Sequence, residues 1–261
     1  MKPQHIAMWS CSRSRSTVTT RAFEQLEGCI IFDSPFYAPY LFATNLELPD
    51  REEVLKNLET DYKKVIKKIT GSLPDRKLFS FQRHLAKHTL PEFGRDWLKS
   101  LNNFFLIRHP KYIISSYQKA QSRYGSQNTI TNEDINLKAL YHIFKDVESL
   151  TGNIPLVIDA DDLVKNPRIV LTFICKYMRI EFSDKMLNWE KPGLKDSVLE
   201  GSSLPSASKI WSKTWYTTVN NSQGFLPYEQ KEVELSNELI PILEESMPYY
   251  DKLFEYRHIF E

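Results

Sequence analysis

No run of apolar residues in this sequence approaches the roughly 18 that a membrane-spanning helix needs. The first predicted strand begins near His5, which leaves no room for a cleavable signal segment. A soluble, cytoplasmic protein is the expectation. Cysteine is scarce as well. Cys11, Cys29 and Cys175 are odd in number, far apart and without metal-ligand spacing, which argues against a disulfide framework or a zinc site and for a reducing compartment. An excess of one charge is also missing. With 34 basic and 33 acidic residues the net charge is +1, so no global field draws in nucleic acid or an anionic membrane, and any anion site has to be local. Internal repeats are absent, and the only low-complexity stretch is the serine-rich segment 201–208.

What the chain does have is apolar content. Hydrophobic residues make up 41% of 261 positions, enough for a sizeable core and for a single domain over 1–261. Short β-rich runs at 5–9, 29–32, 78–81, 104–107 and 156–158 alternate with longer helical patterns at 51–69, 91–100, 111–122 and 132–150. Such alternation predicts an α/β fold: a mostly parallel five-stranded sheet with helices on both faces, whose ligands collect beyond the carboxyl ends of the strands. Residues 192–226 read as a mobile loop or lid. A helix-like run over 229–246 closes the chain, followed by Met247-Pro248-Tyr249-Tyr250, which reads as core packing.

Directly after the apolar run Ile6-Ala7-Met8-Trp9 comes Ser12-Arg13-Ser14-Arg15-Ser16-Thr17, and then Val18, Ala22, Phe23 and Leu26 at helical spacing. A strand thus ends in a turn crowded with hydroxyls and guanidiniums just where a helix begins. Free backbone N–H groups near Ser16 and Thr17 complete a predicted cradle for phosphate-like oxygens built from Arg13, Ser14, Arg15, Ser16 and Thr17; an unliganded surface turn is the alternative. Residues 10–20 contain neither Gly nor Lys, so an ATP-type loop is a poor match. A second anion clamp is predicted where Phe104-Phe105-Leu106-Ile107 ends in Arg108-His109-Pro110-Lys111. Pro110 suits a first helical turn, Arg108 stands at the ligand edge of the sheet, and Ser116 follows about two turns into the helix.

The order Ser-Arg-Ser-Arg-Ser-Thr resembles the phosphosulfate-binding loop of sulfotransferases, with Ser12 where that family has Pro and Arg15 where it has Gly. Arg108 and Ser116, eight positions apart, resemble the family's clamp on the 3'-phosphate of the donor 3'-phosphoadenosine 5'-phosphosulfate (PAPS). The segment Ile158-Asp159-Ala160-Asp161-Asp162-Leu163, with Pro167 after it, is similar to the family's strand, Tyr-Glu-Asp-Leu, proline and helix, and implies structural roles for Asp161 and Asp162. Met186-Leu187-Asn188-Trp189 and Ser222-Gln223-Gly224-Phe225 are similar to elements of the prokaryotic and plant-type branch, so the resemblance covers nearly the full chain. It implies direct in-line transfer of a sulfuryl group from PAPS to a hydroxyl, or an amine, of a small molecule, with no metal and no covalent intermediate. The lack of a membrane anchor points away from polysaccharide acceptors.

The resemblance also implies a base on the third strand. Phe79-Ser80-Phe81-Gln82-Arg83-His84-Leu85, with Leu90-Pro91 beyond it, resembles the family's Lys-Thr-His-Leu-Pro. That puts His84 at the base and Gln82 where the family has Lys, leaving Arg83 or Arg13 to supply the charge. His88 is the second candidate for the base. Arg13 and the helix N-terminus would stabilise charge on the departing phosphate oxygen. Late in the chain, Lys209 and Lys213 with Trp211 and Trp215 interleaved have a composition suited to closing over a nucleotide, and packing of the tryptophans in the core accounts for it equally well. Phe32, Phe36, Tyr37, Tyr40 and Phe42 are expected to line an acceptor pocket or the core. Two other functions fit parts of this pattern: a P-loop nucleotide or small-molecule kinase, and a non-catalytic nucleotide-binding protein of the same fold, which Gln82 in place of Lys favours.

Overall fold

The β-rich runs fold as strands and the patterned segments between them as helices, in a computed structural model that describes residues 4–48, 50–123, 129–189, 216–229 and 232–260. In chain order the elements are β1 (Gln4–Ser10), α1 (Ser16–Glu24), β2 (Cys29–Asp33), α2 (Tyr37–Thr44), α3 (Arg51–Asn57), α4 (Tyr62–Ile69) and β3 (Phe79–Leu85). There follow β4 (Asn102–Ile107), α5 (Pro110–Arg123), α6 (Asn132–Ile135), α7 (Leu137–Thr151), β5 (Leu156–Asp159), α8 (Ala160–Lys165) and α9 (Pro167–Tyr177), then a short helix at Thr217–Asn220 and a long one at Ile240–Phe254. Among the described residues the strands form one parallel five-stranded sheet in the order β2-β3-β1-β4-β5. β1 is central. From β1 the chain builds β2 and β3 on one side and then crosses to β4 and β5 on the other, so a crevice opens at its carboxyl end.

Helices cover both faces of the sheet, which is why the strands read as unbroken apolar runs rather than alternating ones. Ala7, Trp9, Phe32, Phe105 and Val157 face a core shared with α4, α5, α7 and the helix Ile240–Phe254. Met8, Ile31, Phe81, Phe104 and Ile158 face α1 and α9. Phe23 of α1 stacks on Phe81 of β3 with ring centroids 4.0 Å apart, and burying a Phe side chain stabilises by roughly 1.5–3 kcal/mol. This contact fixes α1 against the sheet and leaves its N-terminus beside the carboxyl end of β1.

Several predicted helices are interrupted, each for a local reason. The pattern over 51–69 is two helices: Leu58 turns extended, and Asp61 starts the second as an N-cap, its carboxylate accepting from the N–H groups of Lys63 and Lys64. Over 132–150 the break is Asn136, left-handed at φ 45, whose side chain accepts from Ala139 N at 2.9 Å. Segment 91–100 forms only 3₁₀ turns, parted by Gly94 at φ 71, a backbone state that suits glycine. The helix expected over 229–246 begins later, at Ile240, where Pro241 suits the first turn, and runs through the aromatic stretch to Phe254. Tyr250 is buried there, and its hydroxyl donates to Asp159 Oδ2 at 3.2 Å.

Candidate functional site

A cleft of about 1240 Å³ opens above the carboxyl ends of the strands. The segment after β1, Arg83 of β3, Arg108 after β4 and Asp161 after β5 all line it. Between β1 and α1, Arg13 and Arg15 take left-handed backbone angles, φ 60 and 63. For residues other than glycine such angles cost roughly 1–3 kcal/mol, and they persist where the surroundings impose them. The turn brings both arginines to the cleft wall. No side chain caps α1, so the N–H groups of its first turn, at Ser16, Thr17 and Val18, have no partner within the helix and form a ready anion site. Ser14 differs from expectation: its hydroxyl turns inward, donates to Cys11 O at 2.7 Å and fastens the turn.

The two predicted anion clamps are one assembly. Arg108 Nη1 donates to Arg13 O at 2.9 Å, and Arg13 Nε donates to Ser116 Oγ at 3.1 Å. Arg15 pairs with Asp161 at 3.1 Å. Arg108 Nε is buried without a hydrogen-bond partner; the Asp161 carboxylate stands 3.8 Å away. Burial, with Arg15 and Arg13 adding to it against the opposing pull of Asp161, pushes the Arg108 pKa down to about 10. Guanidiniums held this close together gain from an anion among them. Asp161, expected to cap or to bridge loops, bridges them on the cleft wall as the counter-charge to Arg15 and Arg108, and the capping role falls to Asp159, whose Oδ1 accepts from Asp161 N at 2.7 Å.

Pleat alternation decides what β3 presents, because successive side chains point to opposite faces. Gln82 and His84 turn away from the cleft. Gln82 Nε2 donates to Ile69 O at 2.6 Å. His84 is 1% exposed, its ring stacks on Trp9 at 4.4 Å, and its Nε2 donates to Gln82 Oε1 at 3.0 Å. Burial, and then the neighbouring Arg83 charge, pushes the His84 pKa down to about 3. The first-choice base therefore does not reach the cleft.

Arg83 points the other way and donates to the loop, from Nη1 to Thr17 Oγ1 at 3.2 Å and to Ser16 Oγ at 3.4 Å. Behind it, Asp33 Oδ1 accepts from Nε at 2.5 Å, Ser34 Oγ accepts from Nη2 at 2.9 Å, and the Tyr216 hydroxyl also accepts from Nη2. Tyr216 in turn donates to Asp33 Oδ2 at 2.6 Å. Burial by itself would lower the Arg83 pKa; Asp33 and then Tyr216 outweigh it, and the net shift is upward.

His88, just past β3, does line the cleft. Its ring packs against Tyr37 and Tyr40, at 4.8 and 5.0 Å between centroids, and its Nδ1 is buried without a hydrogen-bond partner. Burial first, then the charges of Lys87, Arg83 and His84, holds its pKa well below the usual imidazole value. At neutral pH the ring is unprotonated and able to take a proton.

The family profile described as a sulfotransferase domain matches residues 4–256. This chain belongs to the sulfotransferase domain family. It is 29% identical over 248 residues to branched-chain-amino-acid aminotransferase-like protein 2 of Arabidopsis thaliana, and 28% identical over 252 residues to protein 1 of the same name. Those matches cover 95% and 97% of this chain but 41% and 42% of the curated relatives, so the chain spans about two-fifths of their length. A sulfotransferase from Alicyclobacillus acidocaldarius superposes over 99% of this chain and 98% of its own with a TM-score of 0.55 at 12% identity, which shows the shared fold.

Other parts of the sulfotransferase domain find places around the cleft. The segments 186–189 and 222–225 pack on each other: Trp189 N donates to Gln223 O and Trp189 Nε1 to Ser222 O, both at 3.1 Å. Gly224 fits because a Cβ there would stand 2.7 Å from Leu187 O. Tyr216, Ser222 and Phe225, at the end of the expected lid, form cleft wall. Lys209, Trp211, Lys213 and Trp215 lie outside the described residues. Of the aromatic residues expected near the acceptor, Tyr37 and Tyr40 line the cleft, Phe32 and Phe36 belong to the core, and Phe42 is 64% exposed. Sequence reasoning missed Asp33 and Tyr216. A carboxylate closing the apolar run 29–32 was a usable signal for Asp33; nothing in the sequence marked Tyr216. Among the described residues no helix is long and apolar enough to cross a membrane, and no group of three or more His, Cys, Asp or Glu side chains is placed to hold a metal ion.

Proposed function

We propose that this sulfotransferase domain transfers a sulfuryl group from PAPS to a hydroxyl of a small molecule, and that residues 1–261 act as one catalytic domain in the cytoplasm. The observation that carries this reading is the convergence of Arg13, Arg15, Arg83 and Arg108 on the uncapped N-terminus of α1, with Arg108 Nε buried and unpartnered. A donor with phosphate at both ends of its ribose matches that charge. PAPS, when bound, supplies the sulfuryl group. Arg13, Arg15, Ser16, Thr17 and the N-terminus of α1 hold its phosphosulfate end, with Ser14 bracing the turn from behind. Arg108 and Ser116 hold its 3'-phosphate, and Lys209, Trp211 and Lys213 are assigned to closing over the nucleotide. Arg83 supplies the charge for which the resembling motif uses Lys, and His88 takes the acceptor proton. The buried, unpaired thiols of Cys11, Cys29 and Cys175 support a reducing compartment.

The test is a titration of wild type and Arg108→Ala with 3',5'-diphosphoadenosine and with AMP. One charge-assisted clamp contributes roughly 1.5–3 kcal/mol, so the wild type should bind the diphosphate about tenfold or more tightly than AMP. Arg108→Ala should lose most of that gap by weakening the diphosphate alone. Equal affinity of the wild type for the two nucleotides would remove the PAPS assignment and bring the kinase reading forward.

Arg13→Ala probes the other end of the donor. The same magnitude predicts a loss of about tenfold or more in affinity for PAPS, read by calorimetry. Unchanged affinity for PAPS and for its desulfated product would take Arg13 out of the site.

A further inference from the structure

Two buried polar atoms of opposite kind face each other on the cleft wall, a donor and an acceptor. Arg108 Nε and Asp161 Oδ1 each lack a hydrogen-bond partner among the described residues, and they stand 3.8 Å apart. That separation is too long for a direct N–H···O bond. Arg15 Nη2 approaches the same carboxylate oxygen to 3.1 Å and balances its charge, but without hydrogen-bond geometry. Buried polar atoms left this way are completed by water or by a ligand.

Both groups are held from behind. Asp161 lies in the first turn of α8, where its N–H donates to the capping Asp159 Oδ1 at 2.7 Å, and the Tyr250 hydroxyl braces Asp159 from the other oxygen at 3.2 Å. Arg108 is tied through Nη1 to Arg13 O at 2.9 Å, which leaves Nε to the Asp161 side. A group that completes the pair has to accept from Nε and donate to Oδ1. An ionised phosphate accepts but does not donate, and it meets the Asp161 charge; an ammonium donates but does not accept, and it meets Arg15 and Arg108. A hydroxyl does both and carries no charge.

We infer that Asp161 selects the ribose of the donor, accepting a hydrogen bond from its 2'-hydroxyl while Arg108 Nε donates to the same oxygen. This rests on the PAPS reading and deepens it. Arg108 is the residue assigned there to the 3'-phosphate, and the 2'-hydroxyl is borne by the neighbouring ring carbon. An acidic side chain on a ribose 2'-hydroxyl is a solution that dinucleotide-binding folds also use.

The experiment is calorimetry with 3',5'-diphosphoadenosine and its 2'-deoxy and 2'-deoxy-2'-fluoro analogues, on wild type, Asp161→Ala and Asp161→Asn. The fluoro analogue keeps the pucker of ribose but has no proton to donate. Wild type should bind the parent about tenfold or more tightly than either analogue, the loss expected when a hydrogen bond to a charged group is removed. Asp161→Ala should bring all three ligands within about twofold of one another, whatever their absolute affinity, because the acceptor is gone. Asp161→Asn keeps an acceptor oxygen without the charge and should retain a preference of about threefold for the parent. Equal binding of parent and analogues by wild type overturns the inference and leaves the PAPS reading standing; so does a preference that persists in Asp161→Ala. If the parent binds no better than AMP, the PAPS reading falls, and AMP against 2'-deoxy-AMP then decides the role of Asp161. A preference for AMP that Asp161→Ala removes upholds it, whereas equal affinity, or no binding by either, overturns it.

Discussion

Replacing His88 with Asn is expected to lower turnover at least a hundredfold while 3',5'-diphosphoadenosine still binds within about twofold of wild type, since a general base contributes roughly 10²–10⁴ to the chemical step alone. His84→Phe is the matched comparison. It keeps an aromatic ring against Trp9, where His84 now stacks at 4.4 Å, and should retain near-native turnover. The pH profile adds a second reading. The base works unprotonated, so activity falls only as pH drops through its pKa, and the lowered pKa of His88 puts that acid limb below the ordinary 6.5. The limb should vanish in His88→Asn. Loss of turnover in His84→Phe with nucleotide affinity intact, alongside an active His88→Asn, would return the base to His84.

Asp33→Ala is expected to destabilise the fold by roughly 3–5 kcal/mol, the usual consequence of removing one partner of a buried ion pair. Asp33 and Arg83 are both buried, the pair is 2.5 Å apart, and their strands are adjacent in register. Without the carboxylate, the Arg83 guanidinium keeps only neutral oxygens from Ser16, Thr17, Ser34 and Tyr216. Urea unfolding gives the number. The double variant Asp33→Ala/Arg83→Met should recover most of the loss, because no buried charge is then left uncompensated. A loss below about 1 kcal/mol in the single variant, well short of that range, would show that water reaches Arg83 and that the pair does not organise the cleft.

How much of the site could be read in advance follows from how local each feature is. The turn at 12–17 and the clamp residues Arg108 and Ser116 are short strand–turn–helix signals, and all of them except the inward Ser14 hydroxyl line the cleft. The identity of the β3 residue that faces the cleft was not legible. The motif resemblance set His84 and Gln82 at the functional positions, but a shift of one residue along a strand exchanges the two faces. The register that pairs Asp33 with Arg83 puts Arg83 at the loop and the two predicted residues in the core. Helix lengths failed similarly where one residue decided: Asn136 and Gly94, both left-handed, end patterns that apolar spacing alone would continue.

By itself the sequence determined the alternation of strand and helix, the parallel sheet, and the turn of arginines and hydroxyls between the first strand and the first helix. All of these follow from apolar periodicity and from the chemistry of residues near one another in the chain. Only the tertiary structure decided that Asp161 is a counter-charge on the cleft wall, that Arg83 and His88 face the cleft, and that Tyr216 closes on Asp33 across 183 positions. The physical reason is that these assignments depend on strand register and on contacts between distant segments, which apolar pattern constrains only through the core they enclose.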